Sequence, residues 1–123
     1  MDRLWFALGS LSGLIGVGLG AFGAHALRER LSPDSLAVFE TGVRYQMYHA
    51  LALLAVAFAV QRWGDSLPSW AGGLFVGGIL LFSGSLYALS LSGVRSFGAI
   101  TPFGGLAFIA GWACLSLAAF RAR

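Results

Sequence analysis

The residues of this sequence that could do chemistry are few, and His49 is the first of them. Tyr45 lies four residues and Gln46 three residues before it, so on a helix the three side chains share one face. His49 is also the ionisable side chain that lies most clearly inside an apolar segment, where an unpaired polar group costs free energy. The trio could form a polar clamp that fixes the second helix against the first and third, which is the simplest interpretation, or a binding or proton-handling site.

Other polar side chains are placed so that they could join the same region. The candidate binding residues are His49, His25, Tyr45, Gln46, Ser83, Tyr87, Thr101, Arg44 and Glu40. Glu40 and Arg44 are four residues apart, and we expect them to form an ion pair at the membrane interface. Arg28, Arg30 and Arg44 could instead recognise a lipid headgroup.

These residues do not assemble into a catalytic or metal-binding pattern. Ser83 and Ser85 point to different faces of a helix, and the segment 82–86 lacks the first glycine of a G-x-S-x-G nucleophile turn. His25 and His49 lack a regular metal-ligand spacing, and His25 falls at the membrane edge. We therefore expect no enzyme activity, no cofactor and no metal.

The composition determines which elements can position these side chains. Of 123 residues, 58% are hydrophobic and 11% charged, whereas about a quarter are charged in a soluble domain. A surface this apolar needs lipid as its outer solvent. The eight basic residues are all Arg and are scattered along the chain, so nucleic acid is not an expected partner. A single cysteine, Cys114, excludes an intramolecular disulfide.

Four apolar segments are predicted to cross the membrane, giving an all-α integral membrane four-helix bundle in a single domain. They cover about residues 4–24, 43–60, 70–92 and 102–120. Ser32, Pro33 and Asp34 form a helix start, so the second helix is predicted to begin early, with an amphipathic, interfacial first part. Thr101 and Pro102 are predicted to be the N-cap and the first residue of the last helix.

Four spans place both termini on one side of the membrane. The positive-inside rule compares the number of Arg residues on the two sides of the membrane. The numbers are equal here, with Arg3, Arg62, Arg121 and Arg123 on the terminal side and Arg28, Arg30, Arg44 and Arg95 on the other. If Glu40 partly neutralises Arg44, the positive-inside rule favours cytoplasmic termini. The candidate binding residues then lie in the membrane half opposite the termini.

Small residues recur on one face of three helices. In the first helix they are Gly9, Gly13, Gly16, Gly20 and Gly23, at steps of four and three residues that confine them to an arc of about 80°. Similar faces are formed by Gly73, Gly77, Gly84 and Ala88, and by Gly104, Ala107, Gly111, Cys114 and Ala118. Such faces let membrane helices approach closely. They predict a tight bundle, with contact between subunits as the alternative for any one of them.

The same motifs carry a resemblance to a known family. They are Gly20–His25, Thr41-Gly42, Tyr45-Gln46, His49–Leu54, Phe82–Tyr87, Thr101-Pro102, Gly104-Gly105 and Gly111-Trp112. As a set they resemble the YgdD-type family of small bacterial inner-membrane proteins, over nearly the whole chain. The resemblance implies a four-span inner-membrane protein without an established biochemical activity, and it supplies no catalytic residue.

Two functions from different classes follow. The first is a structural or accessory membrane protein, as a homo-oligomer or beside another membrane protein. The second is binding or transport of a lipid, quinone or other small amphiphile in the polar half. A free pocket among His25, His49, Tyr87 and Thr101 would favour the second function, and mutual hydrogen bonding of these side chains would favour the first. Membrane lipids are partners in both cases.

Overall fold

A computed structural model describes residues 1–64 and 66–122 of the chain, in four long helices that we number in chain order. Helix 1 comprises Asp2–Phe22 and a π-helical turn, Gly23–Leu27; helix 2 is Pro33–Trp63; helix 3 comprises Ser66–Gly78, a π-helical turn Ile79–Ser83, and Gly84–Ser92; helix 4 is Thr101–Arg121. These described residues contain no β-strand, and all four helical segments are long and apolar enough to cross a membrane. The prediction of an all-α, four-span membrane protein is confirmed. Asp65 and Arg123, the latter used in the Arg count, lie outside the described residues.

Helix 2 begins where the sequence predicts. The Ser32 side chain accepts a hydrogen bond of 3.2 Å from the backbone N–H of Ser35, and Pro33 occupies the first turn. The helix then runs for 31 residues to Trp63, whereas about 20 residues cross the hydrocarbon core. Its length therefore leaves room for an interfacial first part.

Helix 4 begins differently from the prediction, because Thr101 is not its N-cap. A short 3₁₀ helix, Arg95–Ala99, leads into helix 4 through Ile100, whose backbone is helical and which makes no side-chain cap. An N-cap residue ordinarily has an extended backbone that lets its side chain reach the first free N–H groups. The continuous helical backbone leaves no such position, and the Thr101 hydroxyl bonds to a neighbouring helix instead.

Helices 2 and 3 lie at the centre of the bundle. Helix 1 packs mainly on helix 2, and helix 4 packs mainly on helix 3. The apolar core includes Trp5, Leu53, Val56, Phe75 and Phe108, all buried. Each of the four helices thus contributes to one core, and the polar residues of interest lie around it.

The glycine face of helix 1 meets helix 2. A Cβ atom on Gly9 would lie 2.8 Å from the carbonyl oxygen of Ala50, and one on Gly23 would lie 2.9 Å from the ring of Phe39. A Cβ atom on Gly16 would overlap the side chain of Met47. The absence of side chains at these positions is what lets the two helices approach closely.

The glycine face predicted for helix 3 is wrong as an interface within the chain. Around Gly73, Gly77 and Gly84 there is open space, with no atom within 4 Å of an added Cβ. The glycines of helix 3 that do pack are Gly72, against the ring of Trp5, and Gly78, against the ring of Phe108. Regular spacing shows that glycines share a face, but it does not show which face the neighbouring helices cover.

Candidate polar site between the helices

His49 is buried, with 4% of its surface exposed, where helices 2, 3 and 4 meet. Its Nδ1 lies 2.7 Å from the carbonyl oxygen of Tyr45, and the indole N–H of Trp112 in helix 4 donates to its Nε2 at 3.0 Å. An indole nitrogen can only donate, so Nε2 accepts and Nδ1 carries the proton that is donated to Tyr45. The imidazole is therefore neutral, in one tautomer, with both nitrogens engaged.

Aromatic rings enclose this imidazole. It stacks on Phe108 with a centroid separation of 3.6 Å and an interplanar angle of 6°, and Phe75 lies 5.3 Å away. Trp112 in turn packs on Phe75 at 4.9 Å. A metal ion at Nε2, or a proton there, would have to displace the Trp112 N–H, because that nitrogen has a single lone pair. The arrangement favours a fixed contact between helices over ligand exchange.

Gln46 connects three helices. Its amide nitrogen donates to the carbonyl oxygen of Ser12 in helix 1 at 2.9 Å, and its amide oxygen accepts from the Tyr87 hydroxyl in helix 3 at 2.6 Å. Only 4% of Gln46 is exposed. Both ends of the amide are therefore used within the bundle.

Hydroxyl groups of helix 3 make the remaining links of this network. Ser83 is fully buried and donates to the carbonyl oxygen of Gly42 in helix 2 at 2.7 Å. The Ser85 hydroxyl pairs with that of Thr101 in helix 4 at 2.6 Å and also donates to the carbonyl oxygen of Phe82 at 2.9 Å. We name Gln46, His49, Ser83, Ser85, Tyr87, Thr101 and Trp112 the polar network.

Four candidate residues are not part of the polar network by their side chains. His25 is exposed at the end of helix 1. Tyr45 is 37% exposed and packs its ring on Phe82, with centroids 4.7 Å apart. It accepts a hydrogen bond from His49 through its backbone carbonyl and not through its hydroxyl. Glu40 and Arg44 both lie on the exposed surface.

The ion pair expected between Glu40 and Arg44 does not form. Within residues 1–64 and 66–122 the ion pair found is between the N-terminal ammonium and Asp2, at 3.8 Å. An exposed pair on one helix contributes only about 0.3–0.5 kcal/mol once the entropy of fixing two long side chains is included. Glu40 therefore does not pair with Arg44 to neutralise its charge in the comparison of Arg residues on the two sides of the membrane.

Trp112 is the hydrogen-bond partner of His49, and the sequence analysis did not identify it. A buried indole N–H normally finds an acceptor, and Trp112 lies within the last span, so its pairing with the buried His49 could have been sought. The other partner groups are the backbone carbonyls of Ser12 and Gly42. Every residue has a carbonyl, so no side-chain pattern could have identified these two.

Comparisons with known proteins agree with this architecture. The family model described as "Protein of unknown function (DUF423)" matches residues 19–105. Over 120 residues the chain is 47% identical to "UPF0382 membrane protein YwdK" of Bacillus subtilis, covering 97% of this chain and 98% of that protein. It is 40% identical over 122 residues to "UPF0382 inner membrane protein YgdD" of Escherichia coli K12, covering 99% and 93%. No solved structure matches the chain.

Proposed function

The chain belongs to the DUF423 family, whose relatives reported above are named only as membrane proteins, and we propose that it is a non-enzymatic structural or accessory protein of the bacterial inner membrane. The observation that carries the proposal is the polar network. Its side chains bond across the bundle to one another and to backbone carbonyls. The groups that would otherwise be the best candidates for binding or catalysis are used to join helices.

The network links helix 2 to each of the other three helices, and helix 3 to helix 4. Gln46 links helices 1, 2 and 3, the Ser83 hydroxyl links helices 2 and 3, Ser85 with Thr101 links helices 3 and 4, and His49 with Trp112 links helices 2 and 4. Lipid provides no hydrophobic force between helices, so packing and hydrogen bonds must supply the association. This distribution of bonds is what a rigid scaffold in the membrane requires.

Amphiphile binding within the polar half is the weaker proposal. It would need free hydrogen-bonding groups among His25, His49, Tyr87 and Thr101. His49 uses both ring nitrogens, the Tyr87 hydroxyl donates to Gln46, and the Thr101 hydroxyl pairs with Ser85. His25 is exposed at a helix end and stands apart from the network.

The scaffold role implies membrane lipids and a second copy or another membrane protein as partners. Helix 3 offers an exposed face for such a contact, where Trp70 is 70% exposed and Gly73 is open. We propose cytoplasmic termini, because Arg44 lies within helix 2 and not in a loop. A reporter fused after Arg123 should be active in the cytoplasm, and activity confined to the periplasm would reverse this orientation.

The test of the scaffold role compares the two histidines. His49→Leu should lower the free energy of unfolding in micelles by about 2 kcal/mol, because it removes two hydrogen bonds and leaves the Trp112 N–H unpaired. His25→Leu is the matched control and should change it by less than about 0.5 kcal/mol, because His25 is exposed. Bound lipid is measured on the same samples by native mass spectrometry. A His49→Leu protein that keeps its stability but loses a bound lipid would contradict the scaffold role.

A further inference from the structure

A pocket opens between helices 1 and 2 at the end of the bundle that carries the termini. The two helices are antiparallel, with the Asp2 carboxylate accepting a hydrogen bond from the Gln61 side chain. Both residues line the pocket at this end, together with Arg3. The lining farther into the membrane is apolar and includes Phe6, Leu54 and Phe58. The pocket is therefore polar at its mouth and apolar along its depth.

The mouth of the pocket lies at the level of the lipid headgroups. Trp63 is exposed two residues after Gln61, and Trp70 is exposed near the start of helix 3. Exposed tryptophans at the ends of spans are typical of this level. From Gln61 to Leu54 helix 2 extends about 10 Å, and half of a hydrocarbon core is about 15 Å deep. The pocket thus reaches from the headgroups into the acyl chains of one leaflet.

Arg3 is the lining group that is free to bind a charged ligand. The Asp2 carboxylate already has two partners, the Gln61 side chain and the ammonium of Met1 at 3.8 Å. Arg3 is exposed, and within residues 1–64 and 66–122 its side chain makes no ion pair or hydrogen bond. A guanidinium presents several N–H donors in a planar fork that matches a phosphate group. The mouth therefore offers a positive group, suited to phosphate, beside an apolar surface.

This combination of charge and apolar surface favours one kind of occupant. A two-fold contact with a second copy would bring the same surface of both chains together, so the two Arg3 side chains would repel each other. An apolar helix of another protein would leave Arg3 without a counter-charge at the edge of the lipid. A phospholipid with a net negative headgroup supplies the counter-charge and, in the same molecule, a hydrocarbon chain.

We propose that this pocket binds one anionic phospholipid from the leaflet on the side of the termini. Its phosphate is bound by the Arg3 guanidinium, and one acyl chain lies against Phe6 and Phe58. The site shares no residue with the polar network, and it goes beyond the scaffold role without depending on it.

The test is a titration of the full chain in detergent micelles with phosphatidylglycerol or phosphatidylethanolamine, both carrying palmitoyl and oleoyl chains, measured by native mass spectrometry. The parent should bind one phosphatidylglycerol per chain, about fivefold more tightly than phosphatidylethanolamine, which is the effect of one basic residue at a membrane surface. Arg3→Gln should weaken phosphatidylglycerol binding about fivefold and remove this preference.

Arg121→Gln is the matched control for the charge. It removes one exposed Arg at the same end of the bundle, from helix 4, and it lies outside the lining of the pocket. The preference for phosphatidylglycerol should be unchanged in this variant. The comparison separates a site at Arg3 from a general attraction between basic residues and anionic lipid.

The position of the acyl chain is tested by filling the pocket. Ala7 is exposed and lines the pocket, so Ala7→Trp should weaken the binding of both lipids at least about tenfold. Ala21→Trp makes the same substitution at an exposed position of helix 1 outside the pocket, and it should bind both lipids as the parent does. Thermal unfolding in the same micelles checks that the variants are folded. Phe58→Ala, which removes an exposed wall of the pocket, replaces Ala7→Trp if that variant does not fold.

Four results would overturn the proposal. The first is a parent that binds the two lipids equally, or phosphatidylethanolamine more tightly, which would make Asp2 the recognition group. The second is an equal loss in Arg3→Gln and Arg121→Gln. The third is normal lipid binding by a folded pocket variant. The fourth is a dimer of the parent that Ala7→Trp dissociates, which would place a second copy in the pocket. None of these results affects the scaffold role, which is measured by the stability of the His49→Leu protein.

Discussion

Helices 1 and 4 flank the central pair of helices, and they are attached to it in different ways. Helix 1 presents glycines to helix 2: Gly16 receives the side chain of Met47, and Gly9 lies against the Ala50 carbonyl oxygen. Hydrogen bonds of helix 1 run from Gln46 to the Ser12 carbonyl, from Gln61 to the Asp2 carboxylate and from Trp5 to the Ser69 hydroxyl. At Gly104 helix 4 lies against the backbone of Phe82 in helix 3. It also makes two side-chain hydrogen bonds, through Thr101 and Trp112.

The difference shows that the effect of replacing a glycine in a membrane helix depends on which atoms of the neighbouring helix lie against it. A flexible side chain can move when a larger residue is introduced, whereas a neighbouring backbone cannot. Gly104 of helix 4 is therefore expected to tolerate a larger residue less well than Gly16 of helix 1. Helix 1 also leaves a groove beside helix 3.

Of the substitutions that test this comparison, Gly104→Leu should lower the free energy of unfolding most. Its Cβ would overlap the backbone of Phe82, which is held within helix 3. We expect a loss of about 3 kcal/mol or more in the free energy of unfolding in micelles. Gly105→Leu is the matched control, because the nearest atom to its Cβ is a ring carbon of Phe82 at 3.9 Å. Equal stability of the two variants would remove the proposed difference between backbone and side-chain neighbours.

Substitutions of the helix 1 glycines should lower the free energy of unfolding by intermediate amounts that depend on the neighbouring atoms. Gly9→Leu meets the Ala50 carbonyl oxygen at 2.8 Å and should cost about 2 kcal/mol, while Gly16→Leu meets the flexible end of Met47 and should cost about 1 kcal/mol. Gly18→Leu has open space and serves as the control. Thermal unfolding in one detergent ranks the three, and a Gly16→Leu protein less stable than Gly9→Leu would contradict the argument.

Gly77→Leu should have the smallest effect. No atom lies within 4 Å of its Cβ position, so we expect the free energy of unfolding to change by less than about 0.5 kcal/mol. The same unfolding assay measures it. A loss above about 1 kcal/mol would mean that this face of helix 3 is buried after all, by a second copy of the chain.

The sequence predicted the number and class of the helices and the start of helix 2, because apolar length and the Ser32-Pro33 pair act locally. It could not predict which face of helix 3 is covered, because that depends on where the rings of Trp5 and Phe108 pack against helix 3. The N-cap predicted at Thr101 was wrong for a related reason. The preceding 3₁₀ helix was not foreseen, and its helical backbone frees the hydroxyl for Ser85.

For the site, the sequence identified the residue types but only part of the geometry. Gln46 and His49 were expected to bond to neighbouring helices, and they do. The partner of His49 is on helix 4 and not on helix 1 or 3, and the partner of Gln46 in helix 1 is a backbone carbonyl. Such pairings arise from how helices dock, which the pattern along one helix does not contain.

A thermodynamic cycle on His49 and Trp112 tests the central claim, that the inward polar groups serve to join helices. The cycle compares the parent with His49→Leu, Trp112→Phe and the double variant, all by unfolding in the same micelles. The 3.0 Å bond between the indole N–H and Nε2 predicts a coupling free energy of about 1 kcal/mol. Additive effects, with a coupling below about 0.3 kcal/mol, would contradict the claim that this contact holds helix 4 to helix 2.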